Sequence, residues 1–273
     1  MVDTSPNPPP LSGLSLEAIS SNAKLSFPVK KSNKSRIAGK LLYWWCWFVA
    51  GSLLLLVGTP ALIALWLINR RAALYPLARW GARTWLNACR ARVRVIGSEG
   101  LDPNESYIFV SNHRSYLDTA ALFAYAGPRI GLVAKKELLK VPVMGQGMGF
   151  VNIIAIDRSN PERAVTSMNK AREVVKRGYS FGVFVEGTRA LPGELLPFKK
   201  GAFYLALQTG APIIPVAIKN TDWMMGKRTG VAFPGEIDMV LLAPIQTKEK
   251  TADDIPNLLL QTREAIAREL GAG

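Results

Sequence analysis

The stretch YIFVSNHRSYLD, residues Tyr107–Asp118, decides both the fold and the candidate chemistry of this chain. An apolar, β-prone run ends at Val110, and helix-favouring residues begin at about Tyr116, with Ser115 as the expected N-cap. The pattern therefore predicts a strand, a short polar turn and a helix, which is a building unit of α/β folds.

His113 lies in this predicted turn and is the only histidine of the chain. Any imidazole chemistry near neutral pH must therefore occur there. Asp118 follows five residues later, close enough to fold back and accept a hydrogen bond from one ring nitrogen, which leaves the other nitrogen basic. The alternative is a surface histidine beside a helix-capping aspartate. The chain contains no G-x-S-x-G nucleophile elbow.

The net charge of +14 is concentrated in the N-terminal third. Residues 1–98 carry 13 Lys and Arg against only Asp3 and Glu17, whereas residues 99–273 carry 21 basic against 18 acidic residues. The basic residues flank an apolar segment, which indicates an anionic membrane surface as partner and argues against nucleic acid.

The composition predicts three parts. Residues 1–36 are rich in Pro, Ser, Asn and Lys and are predicted to be a disordered basic tail. Residues 37–91 are predicted to be a membrane-associated two-helix segment, and residues 92–273 an α/β domain. The two cysteines, Cys46 and Cys89, and the single histidine give no disulfide framework and no metal-ligand cluster.

The apolar segment Leu41–Ile68 has 28 residues without a formal charge, enough to cross a bilayer once. Gly58-Thr59-Pro60 is expected to break it. Basic clusters on both sides favour a helical hairpin embedded in one leaflet, with both flanks on the cytoplasmic side; one ordinary transmembrane helix is the alternative. The flanking residues are Lys30, Lys31, Lys34, Arg36 and Lys40 before the segment, and Arg70, Arg71, Arg79 and Arg83 after it.

From Arg92 onward, predicted strands alternate with predicted helices. This predicts an α/β fold with a mostly parallel central sheet flanked by helices, in which functional sites lie beyond the carboxyl ends of the strands. The expected strands are Arg92–Ile96, Tyr107–Val110, Ile130–Ala134, Val151–Ile156, Phe181–Val185, Ile213–Ile218 and Ile237–Leu242. The expected helices are Tyr116–Ala126, Glu137–Met148, Pro161–Lys176, Lys199–Thr209 and Ala252–Leu270.

Three expected strand ends carry polar residues: Asn112-His113, Asp157-Arg158 and Glu186–Arg189. Arginine binds phosphate in a bidentate manner, and Lys199 adds a point charge. Each arginine alone fits an exposed, solvated side chain. Together the three loops predict a general base beside a phosphate-binding cluster.

These motifs resemble those of the glycerolipid acyltransferases, and most closely the bacterial 1-acylglycerol-3-phosphate acyltransferases. NHRSYLD matches the N-H-x-S-x-x-D form of the first motif. In the expected order follow FVNIIAIDR, ending at Arg158, then VEGTR at Val185–Arg189, and IIPVAI around Pro215. VAKKEL at Val133–Leu138 is also similar. The resemblance covers roughly residues 95–245; Ala190 departs from it, where the family usually has serine.

The resemblance implies roles for individual residues. His113 would be the general base and Asp118 its orienting partner. The phosphate of the acceptor would be bound by Arg158, Glu186, Gly187, Thr188 and Arg189, with Lys135 as a further contact. Pro215 would shape the site near the acyl chain.

The implied reaction transfers a fatty acyl group from an acyl thioester, on coenzyme A or acyl carrier protein, to 1-acylglycerol 3-phosphate, making phosphatidic acid. No cofactor or metal is expected. The alternatives are glycerol 3-phosphate or another lysophospholipid as acceptor, a non-catalytic binder of anionic membranes, and a lipid hydrolase. We expect the protein at the cytoplasmic face of a membrane, the bacterial inner membrane.

Overall fold

The structure is a computed structural model that describes residues 24–30, 35–70, 73–127, 129–156 and 161–271. Within these residues, seven strands form the central sheet in the order β2-β9-β8-β3-β6-β4-β5. Their bounds are β2 Ala91–Ile96, β3 Ile108–Ser111, β4 Ile130–Lys135, β5 Ile153–Ile156, β6 Ser180–Phe184, β8 Ile213–Lys219 and β9 Gly235–Leu241; β1 Leu25–Ser26 and β7 Glu194–Leu195 pair separately.

The predicted α/β fold with a mostly parallel sheet is confirmed, and each predicted strand of the sheet is found within two residues of its expected ends. Within the central sheet of the described residues, only the β8–β9 pair is antiparallel. These two strands are joined by a segment whose helix, Thr221–Met225, is too short for the crossover that a parallel connection requires.

Helices cover both faces of the sheet because alternate residues of its strands point in opposite directions. In β3, Phe109 belongs to one apolar cluster, whereas Ile108 and Val110 belong to the other. The helices are α1 Arg36–Leu67, α2 Leu74–Ala88, α3 Tyr116–Tyr125, α4 Met144–Met148, α5 Pro161–Lys176, α6 Gly201–Thr209, α7 Thr221–Met225 and α8 Ile255–Gly271.

The break predicted at Gly58-Thr59-Pro60 is wrong, because α1 runs without interruption from Arg36 to Leu67. A π-helical turn at Leu53–Gly58 precedes the proline, and the backbone N–H and the hydroxyl of Thr59 both donate to the carbonyl of Leu54. This wider turn shifts the hydrogen-bonding frame, so the N–H that Pro60 lacks does not end the helix. The turn of the two-helix segment comes after Leu67, before α2.

Helix α1 contacts the α/β domain near its first turn and α2 further along. The carbonyl of Gly39 accepts a hydrogen bond from the N–H of Ala232 at 2.9 Å, and the indole of Trp85 donates to the carbonyl of Cys46 at 2.8 Å. The opposite side of α1 is apolar and exposed, with Trp44 and Leu56 each 70% accessible. The helix is long and apolar enough to cross a membrane by length and composition.

Two of the basic residues that follow the apolar segment bind the domain itself. The guanidinium groups of Arg79 and Arg83 donate to the carbonyl of Ala124, at 2.8 and 3.1 Å, in the last turn of α3. Positive charge is favourable at a helix C-terminus. From the sequence, both arginines were predicted only to belong to the basic cluster that follows the apolar segment.

The predicted helix Glu137–Met148 is wrong as a single element. A 3₁₀ turn, Lys136–Lys140, and the short helix α4 replace it. Between them Val141 is extended, as expected for a residue that precedes proline, and Val143 has a φ of 66°.

Part of the predicted N-terminal tail pairs with the domain. Leu25 and Ser26 form β1, in antiparallel register with Leu195 and Glu194 of β7. Residues 1–23 and 31–34 of that tail lie outside the described residues.

Two glycines of α1 test its docking on the domain. A Cβ at Gly39 would lie 2.8 Å from the buried ring of Phe233, whereas a Cβ at Gly51 meets no atom within 4 Å. Alanine favours a helix over glycine by about 1 kcal/mol, but overpacking costs about 1–3 kcal/mol. We expect Gly51→Ala to raise the melting temperature of the detergent-solubilised protein and Gly39→Ala to melt several degrees below it. Equal melting temperatures for the two variants would mean that α1 is not held against Phe233.

Candidate active site

The loop between β3 and α3 is held in shape by a capping box. The hydroxyl of Ser115 accepts a hydrogen bond from the N–H of Leu117 at 3.2 Å, and the Asp118 carboxylate accepts one from the N–H of Ser115 at 2.7 Å. Ser115 is therefore the N-cap, as the sequence predicted. This cap fixes the start of α3 and with it the position of the Asp118 side chain.

The imidazole of His113 meets the Asp118 carboxylate, with Nδ1 3.0 Å from Oδ2. The same oxygen accepts the N–H of Arg114 at 2.6 Å. Because an ionised carboxylate only accepts hydrogen bonds, Nδ1 carries the proton and Nε2 keeps its lone pair. Asp118 is completely buried, whereas the His113 side chain is 15% exposed. The site thus has a basic nitrogen that reaches the surface and a buried carboxylate that orients the ring.

A second contact fixes the plane of the His113 ring. It stacks on Phe184, the last residue of β6, with 4.1 Å between ring centroids and 23° between planes. Since β3 and β6 are neighbouring parallel strands, their carboxyl ends bring the histidine and the phenylalanine together.

Glu186 lies beneath the histidine loop. Its Oε1 accepts the N–H of His113 at 2.6 Å, and its Oε2 accepts the N–H of Leu196 at 2.7 Å. The side chain is 3% exposed. Burial raises the pKa of Glu186 to about 7 against the opposing effects of the two N–H donors and Arg114. Glu186 therefore holds two loops together, and its carboxylate does not face the surface where a substrate would bind.

Asn112 and Arg114 are structural residues whose roles the sequence did not reveal. The Asn112 amide bonds both the carbonyl and the N–H of Ile218, at 2.9 and 2.8 Å, tying β3 to β8. Arg114 is buried, pairs with Asp222 at 3.0 Å and donates to the carbonyl of Glu194 at 2.9 Å. All three partner residues lie far along the chain, so the local sequence pattern did not indicate these contacts.

The remaining residues of the VEGTR motif form a turn beside the His113 loop. Gly187 has a φ of 71°, and a Cβ there would lie 2.8 Å from Nζ of Lys199, so the lysine covers the turn. Thr188 is exposed. The N–H of Ala190 donates to the carbonyl of His113 at 2.7 Å. Gly187, Arg189 and Lys199 are thus gathered close to the histidine.

The Arg189 guanidinium stacks on the ring of Tyr116, with its central carbon 3.7 Å from the ring centroid. Tyr116 in turn meets the edge of Trp47 of α1, at 5.2 Å between centroids. Sequence reasoning assigned neither aromatic residue to the site. The stack links the candidate phosphate-binding arginine to the long apolar helix.

Two predicted residues are not brought to His113, and a third lies outside the described residues. Lys135 ends β4, beyond β6, and pairs with Glu137 at 3.2 Å. Pro215 is buried within the sheet, in register with Val110, and its role near an acyl chain stays a prediction. Arg158 lies outside the described residues. Within the described part of the chain, no group of three or more His, Cys, Asp or Glu residues could hold a metal ion.

This combination, a histidine and aspartate at one strand end and an arginine loop at the next, lies on an α/β scaffold. The family model of the Acyltransferase family matches residues 92–219, which contain all these groups. Residues 92–219 therefore match an acyltransferase-family domain, and the resemblance predicted from the sequence motifs is confirmed.

Two curated proteins are similar to this chain over about two thirds of its length. The chain is 40% identical over 182 residues to an uncharacterized acyltransferase of Schizosaccharomyces pombe, covering 66% of this chain and 65% of that protein. It is 38% identical over 181 residues to the 1-acyl-sn-glycerol-3-phosphate acyltransferase of Saccharomyces cerevisiae, covering 65% and 59%. The chain thus spans less than two thirds of the length of these curated relatives.

A solved structure is similar over a larger part of its own chain. The crystal structure of the 1-acyl-sn-glycerophosphate (LPA) acyltransferase PlsC from Thermotoga maritima superposes with a TM-score of 0.73 at 26% identity. The match covers 85% of this chain and 95% of that chain. The α/β architecture described above is therefore shared with an acyltransferase.

The buried Glu186 predicts a pH-dependent contribution to stability. Its pKa rises from 4.5 to about 7 on folding, so the folded protein binds the proton more tightly. Its stabilising effect is complete below about pH 4.5 and is lost as the pH rises towards 7, by up to roughly 3 kcal/mol. The melting temperature of wild type should fall relative to that of Glu186→Gln between pH 5 and pH 8.

Glu99→Gln, at an exposed position, is the matched control and should show no such pH dependence. A constant difference between wild type and Glu186→Gln across this range would show that Glu186 does not titrate there.

Proposed function

We propose that this protein is an acyltransferase that converts 1-acylglycerol 3-phosphate into phosphatidic acid, with an acyl thioester as donor. The observation that carries the proposal is the 3.0 Å contact between His113 Nδ1 and Asp118 Oδ2. It leaves Nε2 as the one accessible base beside the arginine loop. The names of the relatives support the choice of acceptor, because several are 1-acyl-sn-glycerol-3-phosphate acyltransferases.

The mechanism follows from the weakness of an alcohol as a nucleophile at neutral pH. Nε2 of His113 takes the proton of the acceptor hydroxyl while its oxygen attacks the thioester carbonyl. The tetrahedral intermediate collapses and expels the thiolate, which recovers the proton from the imidazolium. Asp118 keeps the ring oriented and stabilises its positive charge. The thiolate leaves readily, so the reaction needs no covalent acyl-enzyme.

We assign the binding of the acceptor phosphate to Arg189. Its guanidinium is held flat on Tyr116, and no carboxylate of the described residues forms an ion pair with it. Holding the phosphate fixes the acceptor hydroxyl relative to His113, and such ordering of two reactants lowers the barrier by several kcal/mol. The donor thioester is carried by coenzyme A or by acyl carrier protein.

We further propose that α1 and α2 attach the protein to the cytoplasmic face of a membrane, within one leaflet. Exposed apolar residues and basic ends are the composition of interfacial helices. Helix α1 contacts the α/β domain at Gly39, beside Phe233, and at Gly58, beside Val143, two points about 28 Å apart at 1.5 Å per residue. A helix that crossed the bilayer would draw this part of the domain into hydrocarbon.

Catalysis is tested with His113→Ala in the full chain. We expect thiol release from oleoyl-CoA or oleoyl-acyl carrier protein to require lysophosphatidate, and the variant to lose about 10²–10⁴-fold in turnover because no general base remains. Its melting temperature should stay close to that of wild type. Asp118 is a poorer test because its Oδ2 also shapes the loop.

Near-normal turnover of His113→Ala would contradict the mechanism. A panel of lysophosphatidate, glycerol 3-phosphate and lysophosphatidylcholine identifies the acceptor. Thiol release without any acceptor would indicate a hydrolase. Co-sedimentation with anionic liposomes without thiol release would indicate a membrane-binding protein.

The membrane arrangement is tested by labelling single cysteines in sealed vesicles. Arg36→Cys and Arg70→Cys flank the apolar part of α1, and the native Cys46 and Cys89 are buried and so should not react. A maleimide that cannot cross the membrane should label both positions from the same side. Labelling from opposite sides would mean that α1 spans the bilayer.

A further inference from the structure

Lys227 reaches the candidate site from a part of the chain that carries no recognised motif. Its ammonium donates a hydrogen bond to the carbonyl of Arg189. The N–H of the same peptide group, on Ala190, donates to the carbonyl of His113 at 2.7 Å. One peptide group therefore separates Lys227 from the backbone of His113.

The position of Lys227 is fixed by the residues before it. Gly226 forms an isolated antiparallel bridge with Ser115, and the Ser115 hydroxyl donates to the carbonyl of Met225 at 2.8 Å. A Cβ at Gly226 would overlap the carbonyl oxygen of Asp222, so only glycine fits there. This pairing brings the next residue, Lys227, beside the loop that carries His113.

Positive charge accumulates at this point. Burial, together with the neighbouring Arg228 and Arg189, lowers the pKa of Lys227 against the opposing effect of Glu194 and Glu186. None of the three cations forms an ion pair with a carboxylate of the described residues. Cations that are held close together repel one another, and an anion that binds between them relieves this repulsion.

The donors of these side chains suit a phosphate dianion. Lys227 has three N–H donors and uses one on the Arg189 carbonyl, which leaves two. Arg189 is held by Tyr116 through the face of its guanidinium, so its N–H groups point outward from the edge. A phosphomonoester has three terminal oxygens and accepts hydrogen bonds from both side chains.

We propose that Lys227 binds the phosphate of the acceptor together with Arg189. This rests on the proposed function for the identity of the acceptor. It adds to that function a residue that discriminates a phosphomonoester from an uncharged glycerolipid.

The kinetic test compares two variants with two acceptors in the full chain. Lys227→Met removes the ammonium and keeps the unbranched stem of the side chain, whereas Lys227→Arg keeps the charge. With lysophosphatidate, Lys227→Met should raise KM about ten-fold or more and change kcat little, because one charge-assisted hydrogen bond is lost. With monoacylglycerol, which has no phosphate, it should have little effect, and Lys227→Arg should recover most of the affinity for lysophosphatidate.

If Lys227 only holds the Arg189–Ala190 peptide in place, Lys227→Met lowers kcat equally with both acceptors. That result would overturn the proposal. Lys248→Met is the matched control: Lys248 is exposed and follows Thr247, which bonds the carbonyl of Ala211 at the amino end of β8. It removes the same charge at the opposite edge of the sheet and should leave KM unchanged.

A binding measurement separates this proposal from the proposed function. Calorimetric titration of the detergent-solubilised protein with dodecyl phosphate should show binding that Lys227→Met weakens about ten-fold and Lys248→Met does not. Wild-type protein that binds dodecyl phosphate in this way but transfers no acyl group would refute the acyltransferase function and leave the phosphate site standing. Equal binding by wild type and Lys227→Met would refute the role of Lys227, and so would absence of binding by wild type.

Discussion

One oxygen atom, Oδ2 of Asp118, determines the geometry of the candidate site. It accepts hydrogen bonds from the N–H groups of Arg114 and Ser115 and from Nδ1 of His113. The first two bonds shape the loop, and the third orients the imidazole. Because one buried atom does both, the loop cannot relax without releasing the ring. The site therefore depends on the correct start of α3.

The groups around this oxygen make the loop rigid by linking distant parts of the chain. Asn112 connects it to β8, Arg114 to Asp222, and Glu186 to the backbone of His113 itself. All three side chains are buried and polar, and such groups are costly to bury unless their partners are in place. The same network that stabilises the loop therefore keeps the basic nitrogen of His113 in one position.

The sequence predicted those features that local patterns encode. Apolar runs located the strands, and the spacing from His113 to Asp118 located the base and its partner. The capping residue Ser115 was equally visible, because N-cap preferences depend on a few neighbouring positions. Parallel strand order then explains why the loops after β3 and β6 meet, as alternating strands and helices led us to expect.

Features that depend on distant contacts could not be predicted in this way. The continuity of α1 through Pro60 depends on a π-helical turn, which no simple pattern announces. Glu186 was predicted from the sequence to bind substrate. In the structure its carboxylate is buried and accepts hydrogen bonds from two backbone N–H groups. Lys227 lies 38 residues beyond Arg189, and only the pairing of Gly226 with Ser115 brings it near.

The stack of Trp47, Tyr116 and Arg189 has a geometric consequence. The Tyr116 ring lies between α1 and the guanidinium: its centroid is 5.2 Å from that of Trp47 in an edge-to-face contact and 3.7 Å from the guanidinium carbon. Aromatic rings do not stretch, so this stack is a spacer of constant height. Under the proposed membrane attachment, these rigid side chains would keep Arg189 at a fixed distance from α1 and therefore from the lipid surface on which α1 lies.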